Sequence, residues 1–182
     1  MEKQEYFLKG QNVLLRLIQK DDKESYYNAG FSKVDQESAY YTQSDSSFTE
    51  EQISAYIDKI VDNDSRYDFL IIDSTGNICG ESVLNNINWQ NRTAHFRIAL
   101  FDHKTFGKGL GSESLDLTMK FGFDFLALKR IELEVFGFNE RAIRAYSKAG
   151  FIVDEVEENV TLLDGRMSSI LKMSLTKQPL QQ

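Results

Sequence analysis

The chain has 182 residues, 41% hydrophobic and 27% charged, with 13 Phe and 8 Tyr. That size and composition describe one folded domain over 1–182, with its core over about 10–175, and exclude a disordered polymer. Twenty-eight acidic against 21 basic residues leave a net charge of −7 and a pI near 4.9, a field that disfavours nucleic acid and favours cationic partners. No apolar run reaches the ~20 residues of a membrane span, and MEKQEYFLKG lacks a signal peptide's apolar stretch, so no membrane partner and a cytoplasmic location are expected. A single cysteine, Cys79, leaves no intrachain disulfide, and two histidines offer no zinc-spaced cluster; no metal is expected.

In chain order, Val13, Leu15 and Leu17 alternate with Leu14 and Arg16, the period of a strand. Lys20-Asp21-Asp22 opens a short helix that stops near Gly30, and the polar, aromatic segment 31–48 reads as a long loop or broken helix. Thr49-Glu50-Glu51-Gln52 has capping-box spacing, and Ile53, Tyr56, Ile57 and Ile60 mark one face of the helix it starts. Tyr67 to Asp73, Ile78 to Asn88 and Thr93 to Phe101 are three consecutive strands, hence an antiparallel meander.

After Phe106 to Glu113, the residues Leu115, Met119, Gly122, Phe123 and Leu126 form a helical stripe, and Ile131, Leu133 and Val135 alternate again. A strand, a crossover helix and a strand predict right-handed parallel pairing around residues 97 and 133. Asn139-Glu140-Arg141 starts a last helix that stops at Gly150. Two strands about Asp164-Gly165 and a polar tail from Thr176, containing Pro179, complete the chain. The fold class is α/β (α+β): a mixed, mostly antiparallel seven-stranded sheet with about four helices, in the order β-α-α-β-β-β-α-β-α-β-β.

Between the third meander strand and the next helix lies Phe106-Gly107-Lys108-Gly109-Leu110-Gly111-Ser112-Glu113, with glycine at every second position. Such spacing supplies positive φ or a backbone free of Cβ atoms, and the amides of a helix's first turn attract anions. Taken alone, the pattern is equally a tight strand-to-helix turn with no ligand.

This loop and Asn139-Glu140-Arg141-Ala142-Ile143-Arg144-Ala145-Tyr146-Ser147-Lys148-Ala149-Gly150-Phe151, at their separation, resemble the GNAT superfamily of N-acetyltransferases. That family's acetyl-CoA loop reads Gln or Arg, two residues, Gly, one residue, then Gly or Ala. Gly109 and Gly111 match, while Phe106 stands where Gln or Arg is usual. The second motif is similar to Asn-x-x-(Ala)-x-x-x-Tyr-x-x-x-Gly-Phe. The wording around residues 94–100 and 139–151 looks most like the branch holding ribosomal-protein alanine/serine N-acetyltransferases and spermidine or diamine N-acetyltransferases.

The resemblance implies a GNAT-like sheet and acetyl-CoA as cosubstrate, and homodimers are common among similar proteins. The pyrophosphate is expected beside Phe106 on the amides of Gly107, Lys108, Gly109, Leu110, Gly111 and Ser112, with Lys104 or Lys108 near it. The pantetheine arm is expected along Ile98, Ala99 and Leu100, as an added strand. Tyr146 resembles the general acid that protonates the CoA sulfur; by spacing alone it is a core tyrosine. Asn139 resembles the residue that bonds the pantetheine arm, and also suits a helix N-cap.

Glu81 is the candidate base, against the plainer reading of a solvated strand carboxylate, with His95 and Glu134 as other candidates. Tyr40, Tyr41, Trp89 and Arg97 are candidates for the acceptor pocket. The expected function is direct acetyl transfer to a primary amine, a small polyamine or a protein N-terminus, since Cys79 lies away from both motifs. The alternative is a non-catalytic acyl-CoA-binding regulatory module.

Overall fold

The computed structural model describes residues 6–44 and 47–177; the tail reading from residue 178 on, Pro179 included, lies outside them. Alternating burial along β2 (Val13–Leu17) and a buried run through β3 (Tyr67–Asp73) mark a sheet edge giving way to a sheet centre. With β1 (Phe7–Lys9), β4 (Ile78–Asn88), β5 (Thr93–Leu100), β6 (Arg130–Phe136), β7 (Ile152–Thr161) and β8 (Met167–Thr176) they form one sheet of order β1-β2-β3-β4-β5-β6-β8-β7. The helices are α1 (Lys23–Gly30), α2 (Gln36–Thr42), α3 (Glu50–Val61), α4 (Leu110–Lys120) and α5 (Glu140–Lys148). The mixed α/β class, the element order and the meander are as predicted.

Two elements exceed the prediction: among the described residues eight strands stand where seven were expected, and five α-helices where four were. β1 has three residues, too few for a period to show, and pairs antiparallel with β2 from Phe7↔Arg16 to Lys9↔Leu14. The extra helix, α2, lies in the segment read as a long loop or broken helix. Asp35 caps it by accepting from the Ser38 amide at 2.8 Å, and Gln43 ends it in the left-handed region at φ 48°. Seven residues make about two turns, which is short for a hydrophobic period to stand out.

Each face of the sheet carries a core. On one, Leu15, Phe69, Ile71, Leu84, Leu115 and Ile131 pack together, and α4 lies on β2, β4 and β5. On the other, Tyr26 of α1 and Ile53, Ile57 and Ile60 of α3 cover Ile18 and Leu70. The capping box of α3 is present, with Thr49 and Gln52 serving each other's amides at 3.2 and 2.8 Å. The helical stripe after α4 continues through one turn of π-helix at Phe121–Phe125. Among the described residues no helix is long and apolar enough to cross a membrane.

The feature that makes a site is the parting of β5 from β6. Their parallel pairing runs only over Thr93↔Arg130, Ala94↔Ile131 and His95↔Glu132, and so ends before the predicted level of residues 97 and 133. On the other side of β5, the β4 ladder shifts register between Asn85 and Asn88, with Asn86 at φ 49°. An inserted residue of this kind bends and twists its strand. The bulge thus lies at the level where β5 parts from β6, and a wedge opens beyond His95 and Glu132.

Candidate active site

Two cavities meet in the wedge. One, of about 730 Å³, lies between α1, α2 and α3 and the facing strands β5 and β6. The other, of about 390 Å³, runs past the glycine loop to α5. Ser38, Tyr41, Thr42, Ile98, Ala99, Leu100, Asn139 and Tyr146 line both. A molecule spanning the two cavities passes the edge of β5 on one side and Asn139 and Tyr146 on the other.

At the loop, Gly107 and Gly109 adopt φ 73° and 80°, and Gly109 is the N-cap of α4. Among the described residues a Cβ added at either would meet no atom within 4 Å, so conformation demands these glycines. Gly111 differs. Its φ is not positive, and a Cβ there would make only an ordinary 3.7 Å contact with Leu100 Cδ1. The chain itself therefore tolerates a side chain at 111, and a glycine there leaves room for a ligand in the cradle.

The first intrahelical bond of α4 is Glu113 N–H to Gly109 C=O, at 3.0 Å, so the amides of 110–112 precede it and find no carbonyl within the helix. Phe106, Gly107, Gly109, Leu110, Gly111 and Ser112 all line the smaller cavity; Lys104 and Lys108 are exposed and do not. The cations that line it come from α5: Arg141, Arg144 and Lys148. This set of bare amides, open glycines and basic side chains fits the phosphates of an acyl-CoA.

Asn139 satisfies both readings of its position. Its Oδ1 accepts from the Ala142 amide at 3.2 Å and caps α5, while among the described residues its Nδ2 makes no hydrogen bond. Two turns on, Tyr146 is 8% exposed, wedged against Phe96 and Phe151 with ring centroids 6.3 and 6.0 Å away. Its hydroxyl bonds to no described residue. Burial pushes the phenol up to about 12, against a lowering by Arg141, so it keeps its proton at neutral pH.

In the larger cavity Glu81 is 5% exposed, not a solvated carboxylate. Oε2 accepts from the Tyr26 hydroxyl at 2.6 Å and Oε1 is paired with Arg97 Nη1. Arg97 Nη2 donates to the Tyr56 hydroxyl at 3.0 Å, as does Arg66 Nη2 at 2.9 Å, and Arg66 is itself forked onto Asp68. Burial first and the Glu81 carboxylate second hold the Tyr26 hydroxyl well above its ordinary value.

Arg97, Tyr41 and Glu134 line this cavity as well. Tyr40, Trp89 and His95 do not: Tyr40 lies tilted against Phe138 with ring centroids 4.7 Å apart, Trp89 is 46% exposed, and His95 faces Glu132 at 3.5 Å. Cys79 is buried outside both cavities, and burial pushes its thiol up to about 11. A protonated, enclosed thiol is a poor nucleophile.

Sequence reasoning left segment 31–48 as a long loop or broken helix and did not place α2. It crosses the junction of the cavities and is tied at both ends: Asp35 bonds His103 Nδ1 at 2.6 Å, and Gln43 Oε1 accepts from the Leu163 amide at 2.9 Å. Burial tends to raise Asp35, but bonds from His103 and Ser38 outweigh it and bring the carboxyl down to about 2. The Ser38 hydroxyl is buried at the junction and among the described residues has no hydrogen-bond partner, an unspent donor that the packing of α2 puts there. Asp35, Asp102 and His103 are the one group among the described residues close enough to share a metal ion, and the Asp35–His103 contact already serves as the latch on α2.

Comparison with known proteins agrees with this geometry. Residues 12–152 match the family model for the acetyltransferase (GNAT) domain. The spermidine N(1)-acetyltransferase of Escherichia coli (strain K12) is 30% identical over 124 residues, which are 68% of this chain and 66%, just under two thirds, of that protein. The Vibrio cholerae spermidine N(1)-acetyltransferase is 26% identical over 124 residues, covering 68% of this chain and 70% of its own. Among solved structures, the spermidine N-acetyltransferase from Vibrio cholerae in complex with CoA and spermine superposes with a TM-score of 0.81 at 20% identity, covering 92% of this chain and 96% of that one. A GNAT family acetyltransferase from Bacillus anthracis gives 0.76 at 20%, covering 94% and 98%. With the glycine cradle, the parted strands and the Asn139–Tyr146 helix all falling inside the matched residues, the chain belongs to the GNAT acetyltransferase family.

Proposed function

We propose that this chain is an acetyl-CoA-dependent N-acetyltransferase that transfers acetyl directly to a primary amine, with a small polyamine as the acceptor class. The observation that carries the reading is the junction: Asn139, Tyr146 and Ile98–Leu100 line both cavities, so a thioester in one and an amine in the other meet beside a buried, protonated phenol. The 30% identity to a spermidine N(1)-acetyltransferase supports the acceptor class, as does the net charge of −7.

In this reading the amides of 107–112 hold the pyrophosphate, and Ile98, Ala99, Leu100 and the free Asn139 Nδ2 hold the pantetheine arm. Acetyl-CoA supplies an activated acyl group and a thiolate leaving group. Tyr146 donates its proton to that thiolate, the acid step of the transfer. Glu81 draws the proton from the acceptor's ammonium, directly or through water, in competition with Tyr26 and Arg97 for its oxygens. The enclosed Cys79 supports direct transfer over an acyl-cysteine route. With its one thiol reduced, the protein would act in the cytoplasm.

The test is thiol release from acetyl-CoA across polyamines, aminoglycosides and peptides that start with Ala or Ser. Turnover with polyamines above the other classes is expected. Turnover on peptides alone would replace the acceptor class, and CoA binding without thiol release from any amine would leave a regulatory acyl-CoA-binding module.

A further inference from the structure

Phe106, at the head of the glycine loop, has no group to offer an anion, yet a charge sits on it. The Arg141 guanidinium carbon lies 3.6 Å from the Phe106 ring centroid and 4.9 Å from that of Tyr41. Arg141 comes from the first turn of α5 and lines the smaller cavity together with the glycines. Among the described residues it makes no ion pair and no hydrogen bond. Stacking occupies the flat face of a guanidinium and leaves the N–H groups around its rim available.

We propose that Arg141, held by the Phe106 ring, is the cation that binds the pyrophosphate of an acyl-CoA at this loop. The inference rests on the acyl-CoA reading of the cavity and adds to it a residue for the contact that Phe106 cannot make. Three observations converge. The loop's own lysines, Lys104 and Lys108, stand outside the cavity. The stacked ring adjoins Gly107 in sequence, so the guanidinium is presented at the edge of the amide cradle rather than at its far end. A guanidinium fixed on an aromatic face loses less freedom on meeting an anion than a free side chain, and its fork can grip two phosphate oxygens at once. The pair Phe106 and Arg141 thus divides between two residues what a single arginine at position 106 would do: one positions, the other carries the charge.

The experiment is titration calorimetry of the full chain with CoA and with dephospho-CoA, for wild type, Arg141→Ala, Arg141→Lys and the double variant Phe106→Arg with Arg141→Ala, each checked by thermal melting. Arg141→Ala is expected to weaken both ligands alike, by about tenfold or more, with Arg141→Lys between it and wild type. The double variant recovers affinity. In kinetics, the rise in KM for acetyl-CoA caused by Arg141→Ala shrinks when S-acetylpantetheine, which has no phosphate, is the donor. A loss confined to CoA and absent with dephospho-CoA places the contact on the 3′-phosphate and overturns the pyrophosphate assignment. Wild-type affinity in a folded Arg141→Ala protein overturns the role of Arg141 alone, whereas a wild type that binds no CoA overturns the acyl-CoA reading with it.

Discussion

The Tyr26 hydroxyl donates to Glu81 Oε2 over 2.6 Å, joining α1 to β4 inside the larger cavity. Because Arg97 takes the other oxygen, the candidate base is held between a phenol and a guanidinium. Removing either donor leaves a buried carboxylate short of a partner, at a cost of about 1–3 kcal/mol. Tyr26→Phe should therefore lower the midpoint of urea unfolding, and Glu81→Gln, which keeps the shape, should lower it less. For turnover the order reverses: Glu81→Gln is expected to cut kcat/KM for the amine at least tenfold while CoA titration stays as in wild type. A Glu81→Gln enzyme with the wild-type pH profile and rate would remove Glu81 from the chemistry.

Tyr146→Phe deletes one oxygen from a wedged ring and leaves the packing against Phe96 and Phe151 in place. A general acid contributes about 10²–10⁴-fold, so kcat should fall by about that much with CoA affinity retained. Since burial pushes the phenol up to about 12, its ionisation should add no limb to the wild-type pH–rate profile between about pH 6 and about pH 10. Retained turnover in Tyr146→Phe would assign the thiolate's proton to solvent.

Gly109→Ala and Gly111→Ala separate strain from ligand approach. At Gly109, φ 80° puts alanine in the left-handed region, costing about 1–2 kcal/mol, and the melting temperature should drop. At Gly111, where the added Cβ meets only Leu100 Cδ1 at 3.7 Å, stability should hold or rise by up to about 1 kcal/mol. CoA affinity should fall in both. A Gly111→Ala protein that binds CoA as wild type does would show that no ligand backs onto this turn.

The latch on α2 should respond to pH on both sides. His103 is raised above 6.5 by its bond to Asp35, so its contribution is complete below about pH 6.5 and is lost as pH rises through the raised value. Asp35 is lowered from 3.8 to about 2, so its contribution is complete above the ordinary value and fades as pH falls towards 2. Hydrogen-exchange protection factors of residues 36–42 should peak between about pH 4 and about pH 6.5, and His103→Asn should abolish the decline above about pH 6.5 while the acid-side decline, carried by the Asp35 cap on the Ser38 amide, persists. A flat profile in wild type would mean the contact does not hold the helix.

Much of this architecture was readable locally. Alternation in Val13–Leu17, the capping box at Thr49 and the turn residues Asp164-Gly165 act within a few positions, where period and backbone preference decide alone. The glycine loop and the Asn139–Tyr146 helix were legible for the same reason, since each motif is a run of neighbours. β1 and α2 were not, being too short for a period to show, and α2 brought Ser38 and the Asp35–His103 latch with it. Tertiary structure alone decided what Glu81 touches, where β5 leaves β6, and that Arg141 lies on Phe106. Those relations join residues far apart in the chain, and packing, burial and charge fix them only once the sheet has assembled.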